Sequence, residues 1–257
     1  MDAFYIQESN DLFVPTEHTR GPWDLGSQHG GPPAALLGRA LDRDDDKQVA
    51  RISFDILKPV PVTPLTLKTK VVRPGKRVDL VEGALLSDGH PVMRASAWRI
   101  RIAEIAIGSN GSPNPHPGPA EGREPTGYFT DHGADDYLHA MEWRFLTNEF
   151  LEPGPSVAWL RMRMPLLEGE APSPLTRVLI AADSASGISS ELDPKKWLFI
   201  NPDLNVGLDR MPEGEWICLD ARTVVQPHGI GLARSTIYDE RGDIGGSTQS
   251  LLIDERR

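Results

Sequence analysis

One pattern occurs twice in this 257-residue chain: a single helix followed by four strands, on either side of a segment that can form neither. Residues 108–127 consist almost entirely of Gly, Pro, Ser, Asn and charged residues, so no helical or strand period runs through them. Before that segment, short apolar clusters at 4–6 and 12–14 flank a Ser9-Asn10-Asp11 turn. A Gly- and Pro-rich loop over 21–33 leads into a helix expected over 34–41. Apolar alternation then predicts strands over 49–57, 65–72, 78–86 and 92–102, with Asp88-Gly89 as a hairpin signal.

After the segment, strands expected over 142–145 and 158–164 precede a second helix. Four more follow over 197–206, 216–225, 231–238 and 244–253, with Asp239-Glu240-Arg241-Gly242 standing where Asp88-Gly89 stood. Overlaying the halves places Pro33–Asp42 on Pro174–Asp183, Ser53-Phe54-Asp55 on Asn201-Pro202-Asp203, Gly89 on Gly242, and therefore Ser96 on Gln249. We expect an α+β chain of two units, 1–107 and 128–257, joined by a linker over 108–127. Each unit would wrap a long antiparallel sheet around one helix, and the two would pair about a pseudo-two-fold axis.

The second helix is expected over 172–187, with Ser173 as N-cap, Pro174 in the first turn and Gly187 at the end. Leu175, Val178, Leu179 and Ala182 form its core-facing stripe, and Asp183 falls on the same stripe. A carboxylate there is costly unless it is paired or hydrogen-bonded. Position alone admits either a solvent-seeking C-terminal Asp or a functional one.

Composition narrows the function classes. The net charge of −10 argues against nucleic acid or an anionic membrane as the main partner. The single cysteine, Cys218, rules out an internal disulfide, fits a cytoplasmic setting, and reads as a small core residue. No apolar run approaches the length of a membrane span, and the N-terminus does not read as a secretory signal. Phosphate-loop, dinucleotide, zinc-protease and Gly-x-Ser-x-Gly motifs are missing, and the seven histidines are scattered, so neither a metal nor another cofactor is expected. Gly30 and Gly31 offer backbone N–H groups at a helix start, where developing negative charge on a carbonyl can be received, or they form a simple turn. His29 beside them contacts a ligand or ties down the loop.

His29-Gly30-Gly31 opening a helix, Ala182-Asp183, Asn201-Pro202-Asp203, Trp216 with Asp220-Ala221-Arg222-Thr223, and Gln249 together resemble the double-hotdog acyl-CoA thioesterases, in the actinobacterial branch of the type II, thioesterase-like group. The resemblance implies a fatty acyl-CoA substrate, cleaved by a water that a helix Asp, a Thr or Ser and a strand Gln hold in place, without metal or covalent intermediate. Carried over, these are Asp183 and Gln249, with Asn201 where the hydroxyl would stand; an amide still donates and accepts hydrogen bonds. His29, Gly30, Gly31 and Thr223 would contact the substrate. Gln249 shares strand parity with Leu251 and Ile253 and should point inward, whereas the parity of Asn201 decides nothing. In the first half Asp42 and Ser96 stand where Asp183 and Gln249 stand in the second, so one site per chain, formed between the halves, is expected. The Asn201 departure motivates a rival reading, a hotdog protein that binds acyl-CoA or a lipid-like ligand without turnover. A hydratase on the same double fold would need an Asp and a His together before a helix, for which Asp136 and His139 are the nearest pair. Since the internal pair is already closed, a homo-oligomer would use sheet faces or edges.

Overall fold

The computed structural model describes residues 3–43, 45–128 and 135–256. In the first half β1 (Tyr5–Gln7) and β2 (Leu12–Pro15) are followed by α1 (Gly31–Leu41). Then come β3 (Lys47–Ile56), β4 (Leu65–Arg73), β5 (Val78–Ser87) and β6 (His90–Arg101). Asp88 and Gly89 turn β5 into β6 with positive φ at both residues, 49° and 77°, the backbone that an Asp-Gly pair accepts most easily. The second half contains a single-turn α2 (Tyr137–Ala140), β7 (Met141–Phe145), β8 (Ser156–Met162), α3 (Pro174–Ala182) and α4 (Ala185–Ile188). It finishes with β9 (Trp197–Ile200), β10 (Asp203–Leu208), β11 (Ile217–Val225), β12 (Ile230–Tyr238) and β13 (Asp243–Glu255).

All thirteen strands belong to one sheet, in the order β1-β2-β4-β5-β6-β3-β10-β13-β12-β11-β8-β7, with β9 pairing to β13 off this path. The halves join where β3 and β10 run antiparallel, Phe54 opposite Leu204 and Ile52 opposite Val206. Strand order away from that seam is the same on both sides, as a pseudo-two-fold requires. The fold is the expected α+β double hotdog.

Inside the sheet, α1 and α3 lie antiparallel and in close contact. A Cβ added to Gly31 would lie 2.3 Å from the carbonyl oxygen of Ile180. One added to Gly38 would collide with the Leu179 side chain and come within 3.8 Å of Leu175. The helix axes approach closely because these two positions carry no side chain. The stripe Leu175, Val178, Leu179 and Ala182 is fully buried, as is Leu36-Leu37 on the facing helix. Ser173 caps α3 by accepting from the Thr176 N–H at 3.2 Å, with Pro174 in the first turn.

The structure corrects the sequence reading in three places. The helix expected over 172–187 is not continuous: α3 stops at Ala182, Asp183 is its C-cap, and a second short helix, α4, begins at Ala185. The strand expected over 197–206 is split into β9 and β10 at Asn201-Pro202, where proline has no N–H to give to a ladder. Ser96 is not the counterpart of Gln249. It is half-buried between the core-facing Ala95 and Ala97, whereas Gln249 faces the core. The overlay is one residue out of phase, and a slip of one flips a strand residue to the other face.

Segment 108–127 lies against the second half over part of its length. Trp159 Nε1 donates to the Pro117 carbonyl at 2.8 Å, His116 Nε2 lies 3.1 Å from Asp220, and Asn114 Nδ2 donates to the Asp239 carbonyl at 3.0 Å. Beneath these contacts sits a small cluster of Val157, Trp159, Cys218 and Tyr238. Cys218 is a buried packing residue there, and its burial pushes the thiol well above its usual range. Among the described residues, no helix is long and apolar enough to cross a membrane.

Candidate functional site

Asp183 is built into the break between α3 and α4 and is 6% exposed. The C-terminal end of its own helix carries partial negative charge, an unfavourable place for a carboxylate. The antiparallel packing offsets this by bringing the N-terminal end of α1 against it. A Cβ on Gly30 would lie 2.6 Å from Asp183 Oδ2 and 2.9 Å from its Cγ, so only glycine fits at the α1 N-cap.

Two amides hold the other carboxylate oxygen. Asn201 Nδ2 donates to Asp183 Oδ1 at 2.8 Å and to the Asp203 carbonyl at 3.1 Å. Gln249 Nε2 donates to the same Oδ1 and to the Asp183 carbonyl, both at 3.0 Å. Gln249 is itself fixed, since its Oε1 accepts from the Ser186 N–H at 3.0 Å and the residue is 0% exposed. The β9–β10 break therefore has a structural consequence: it turns Asn201 towards Asp183, which an unbroken alternating strand does not require.

Asp183 Oδ2 receives no hydrogen bond from a described residue. His29 Nδ1 lies 3.3 Å from it, a distance that suits an ion pair only if the imidazole is protonated. The Gly31 N–H donates to the same Nδ1 at 3.0 Å, so that nitrogen is an acceptor. Burial lowers the pKa of His29, against the opposing pull of the Asp183 and Asp136 charges. Both observations make His29 neutral, with its proton on Nε2. Tyr137 stacks on the ring at 3.8 Å and 9°, and the Tyr137 hydroxyl bonds the Ile180 carbonyl and Ser184.

A cavity of about 350 Å³ opens onto this group from the seam between the halves. Its walls come from loop 22–30, the end of β3 through Val60, the α3–α4 junction and the β9–β10 break. His29, Gly30, Asp183, Ser186 and Asn201 supply the polar lining; Trp23, Val60, Phe199 and Leu252 supply apolar surface, with Trp23 edge-on to Phe199 at 4.9 Å. At the α1 N-terminus, prolines 32 and 33 have no N–H and that of Gly31 is taken by His29. The Gly30 N–H is left without a protein partner among the described residues.

Five of the seven residues singled out from the sequence thus meet: His29, Gly30, Asp183, Asn201 and Gln249. Gly31 serves them from behind. Thr223 stands two strands from Gln249 in the same row, through Ala233, but its hydroxyl is 2.8 Å from that of Ser189 and it does not line the cavity. Asp136 and His139 also meet, at 2.7 Å, as the N-cap of α2 rather than as cavity-lining groups. Sequence reasoning missed Ser186 and Tyr137, and also Trp23 and Phe199. Ser186 acts through its backbone and Tyr137 through a ring stack, and neither leaves a periodic trace.

The group at the seam can hold a polar carbonyl beside one buried carboxylate oxygen. A sequence model described as acyl-CoA thioesterase N-terminal domain matches residues 19–100, and one described as acyl-CoA thioesterase C-terminal domain matches 112–253. Among solved structures, a thioesterase-II-like protein of Thermobifida fusca superposes with a TM-score of 0.76 at 17% identity, covering 98% of this chain and 96% of that one. A hot-dog-fold protein of unknown function from Alicyclobacillus acidocaldarius gives 0.76 at 14%, covering 100% and 98%. The acyl-CoA thioesterase II TesB2 of Mycobacterium marinum gives 0.67 at 13%, covering 98% and 95%. At these identities the structures attest the fold. No protein of curated function matches the sequence.

Proposed function

Since the chain belongs to the acyl-CoA thioesterase family, we propose that it hydrolyses a fatty acyl-CoA to the free acid and CoA with Asp183 as general base. The observation that carries this reading is the unequal treatment of the two carboxylate oxygens: Oδ1 takes two amide donors, while Oδ2 takes none from the described residues and faces the cavity wall at Gly30. Asn201 and Gln249 fix the carboxylate, and Oδ2 removes a proton from the attacking water. The water oxygen adds to the thioester carbon, and charge gathers on the former carbonyl oxygen. The Gly30 N–H, without a protein partner among the described residues and at the positive end of α1, would receive that charge. When the tetrahedral intermediate collapses, the C–S bond breaks and the proton on Asp183 passes to the departing thiolate. Neutral His29 lines the cavity beside the base, and with its Nδ1 taken by the Gly31 N–H it does not compete for the base's proton. Asn201 takes the place of a hydroxyl by donating to Oδ1.

Thiol release from acyl-CoAs of graded chain length tests the assignment. Asp183→Asn keeps the shape and removes the base, and kcat should fall by about 10²–10⁴-fold. Turnover within twofold of wild type would sink it. The rival reading, binding without turnover, rests on the amide at position 201. It is favoured if acyl-CoA raises the melting temperature of the wild type while no chain length releases thiol.

A further inference from the structure

On the outer face of the sheet, behind the site, lies a groove of about 650 Å³. The strand register explains its shape. Gly207 and Gly246 are cross-strand partners on β10 and β13, and with no side chain at either position they floor a hollow. Arg51 on β3 pairs with Gly207 and stands at one wall. Arg222 and Arg234, directly opposite each other on β11 and β12, form the other. Thr248, opposite Arg234 on β13, adds a hydroxyl between them.

Two arginines facing each other across a ladder repel, and the pairing is ordinarily destabilising. This chain has 37 acidic and 27 basic residues, so carboxylates to relieve them are abundant. Among the described residues, none lies within ion-pair distance of Arg51, Arg222 or Arg234. The carboxylate that does share the groove, Asp220, is engaged by His116 Nε2 at 3.1 Å. Three uncompensated guanidinium groups around a glycine-floored hollow of this size are the complement of a compact polyanion, since guanidinium forks take phosphoryl oxygens two at a time.

We propose that this groove binds a diphosphate-bearing ligand of nucleotide size, at a site separate from the cavity at Asp183. The sheet lies between the two: Thr248 lines the groove and its neighbour Gln249 holds the carboxylate.

Titration calorimetry on the full chain at low ionic strength tests this, with ADP, inorganic pyrophosphate and adenosine as probes. ADP should bind saturably and weaken as salt rises, and adenosine should not bind. Pyrophosphate binding as tightly as ADP would identify the free inorganic anion as a sufficient source of the recognised group; tighter binding of ADP would identify a nucleotide. The double variant Arg222→Gln/Arg234→Gln should weaken binding about tenfold or more, and Arg51→Gln by less, without changing the melting temperature by more than a few degrees. Asp183→Asn should bind ADP as wild type does, which keeps this result independent of the proposed hydrolysis. The proposal is overturned if neither anion binds, or if binding survives in the double variant. It is equally overturned if the wild type self-associates through these arginines and the variant is monomeric.

Discussion

The antiparallel pair of α1 and α3 has two ends related by the pseudo-two-fold, and they have been put to opposite uses. At one end the N-terminus of α1 consists of His29, two glycines and two prolines, and it meets a carboxylate that caps α3. At the other, Ser173 closes the N-terminus of α3 with its own side chain, and Arg39 of α1 grips Glu170 through two contacts of 2.6 Å. Among the described residues the first end keeps the Gly30 N–H and Asp183 Oδ2 without hydrogen-bond partners, whereas the second is closed by a side-chain cap and an ion pair. Asp42, the C-cap of α1, is half-buried, and burial raises its carboxyl pKa against the pull of Arg99. Among the described residues no glycine lies against its carboxylate. A pairing that would yield two equivalent ends in a true dimer yields here two unlike ends, one closed by a cap and an ion pair and one lining the cavity.

Substitutions should respect that difference. Gly30→Ala puts a methyl group into the Asp183 carboxylate, and thiol release should fall by about 100-fold or more, because small displacements of a catalytic group carry costs of that order. Activity within threefold of wild type would show that the carboxylate does not need this fit. Asn201→Ala removes one of two donors to Oδ1 and should cost about ten- to a hundredfold in kcat, whereas Asn201→Thr, which restores a donor, should recover most of it. Equal losses in both variants would leave the donor without a role.

The pH dependence comes next. The folded pKa of His29 lies below its ordinary value, so between the two the unfolded chain binds more protons. The stability contributed by neutral His29 is therefore complete above the ordinary histidine range and is lost as pH falls through it. Melting temperatures measured from pH 8 down to pH 5 should drop less steeply for His29→Asn than for wild type; parallel curves would mean that His29 does not titrate in this window. The smallest effect belongs to the closed end. Arg39→Gln breaks a pair that is partly solvated and should cost about 1 kcal/mol or less in denaturant unfolding, with kcat unchanged. A fall in kcat there would erase the functional distinction between the ends.

How much of this could be read from the residues follows from the range of the forces involved. The strands and both central helices were legible because alternation and 3.6-residue spacing report which face meets the core. Asp183 was legible as a polar residue on an apolar stripe, and Gln249 as an inward residue by its parity with Leu251. What failed depended on phase or on distant partners. Placing Ser96 over Gln249 needed a register that the glycine match set one residue out. The split at Asn201-Pro202 was visible only as a proline inside an apolar run. Ser186 holds Gln249 through its main chain, so its side-chain identity carries no signal.

The seam between β3 and β10 has a consequence of its own. Loop 22–30 comes from one half of the chain and residues 183–202 from the other, yet both are parts of one covalent molecule. Their meeting is unimolecular, with an effective local concentration fixed by the tether rather than by the amount of protein present. Dilution that would separate two identical hotdog subunits leaves this pair together, so the meeting of these two walls is a step of folding.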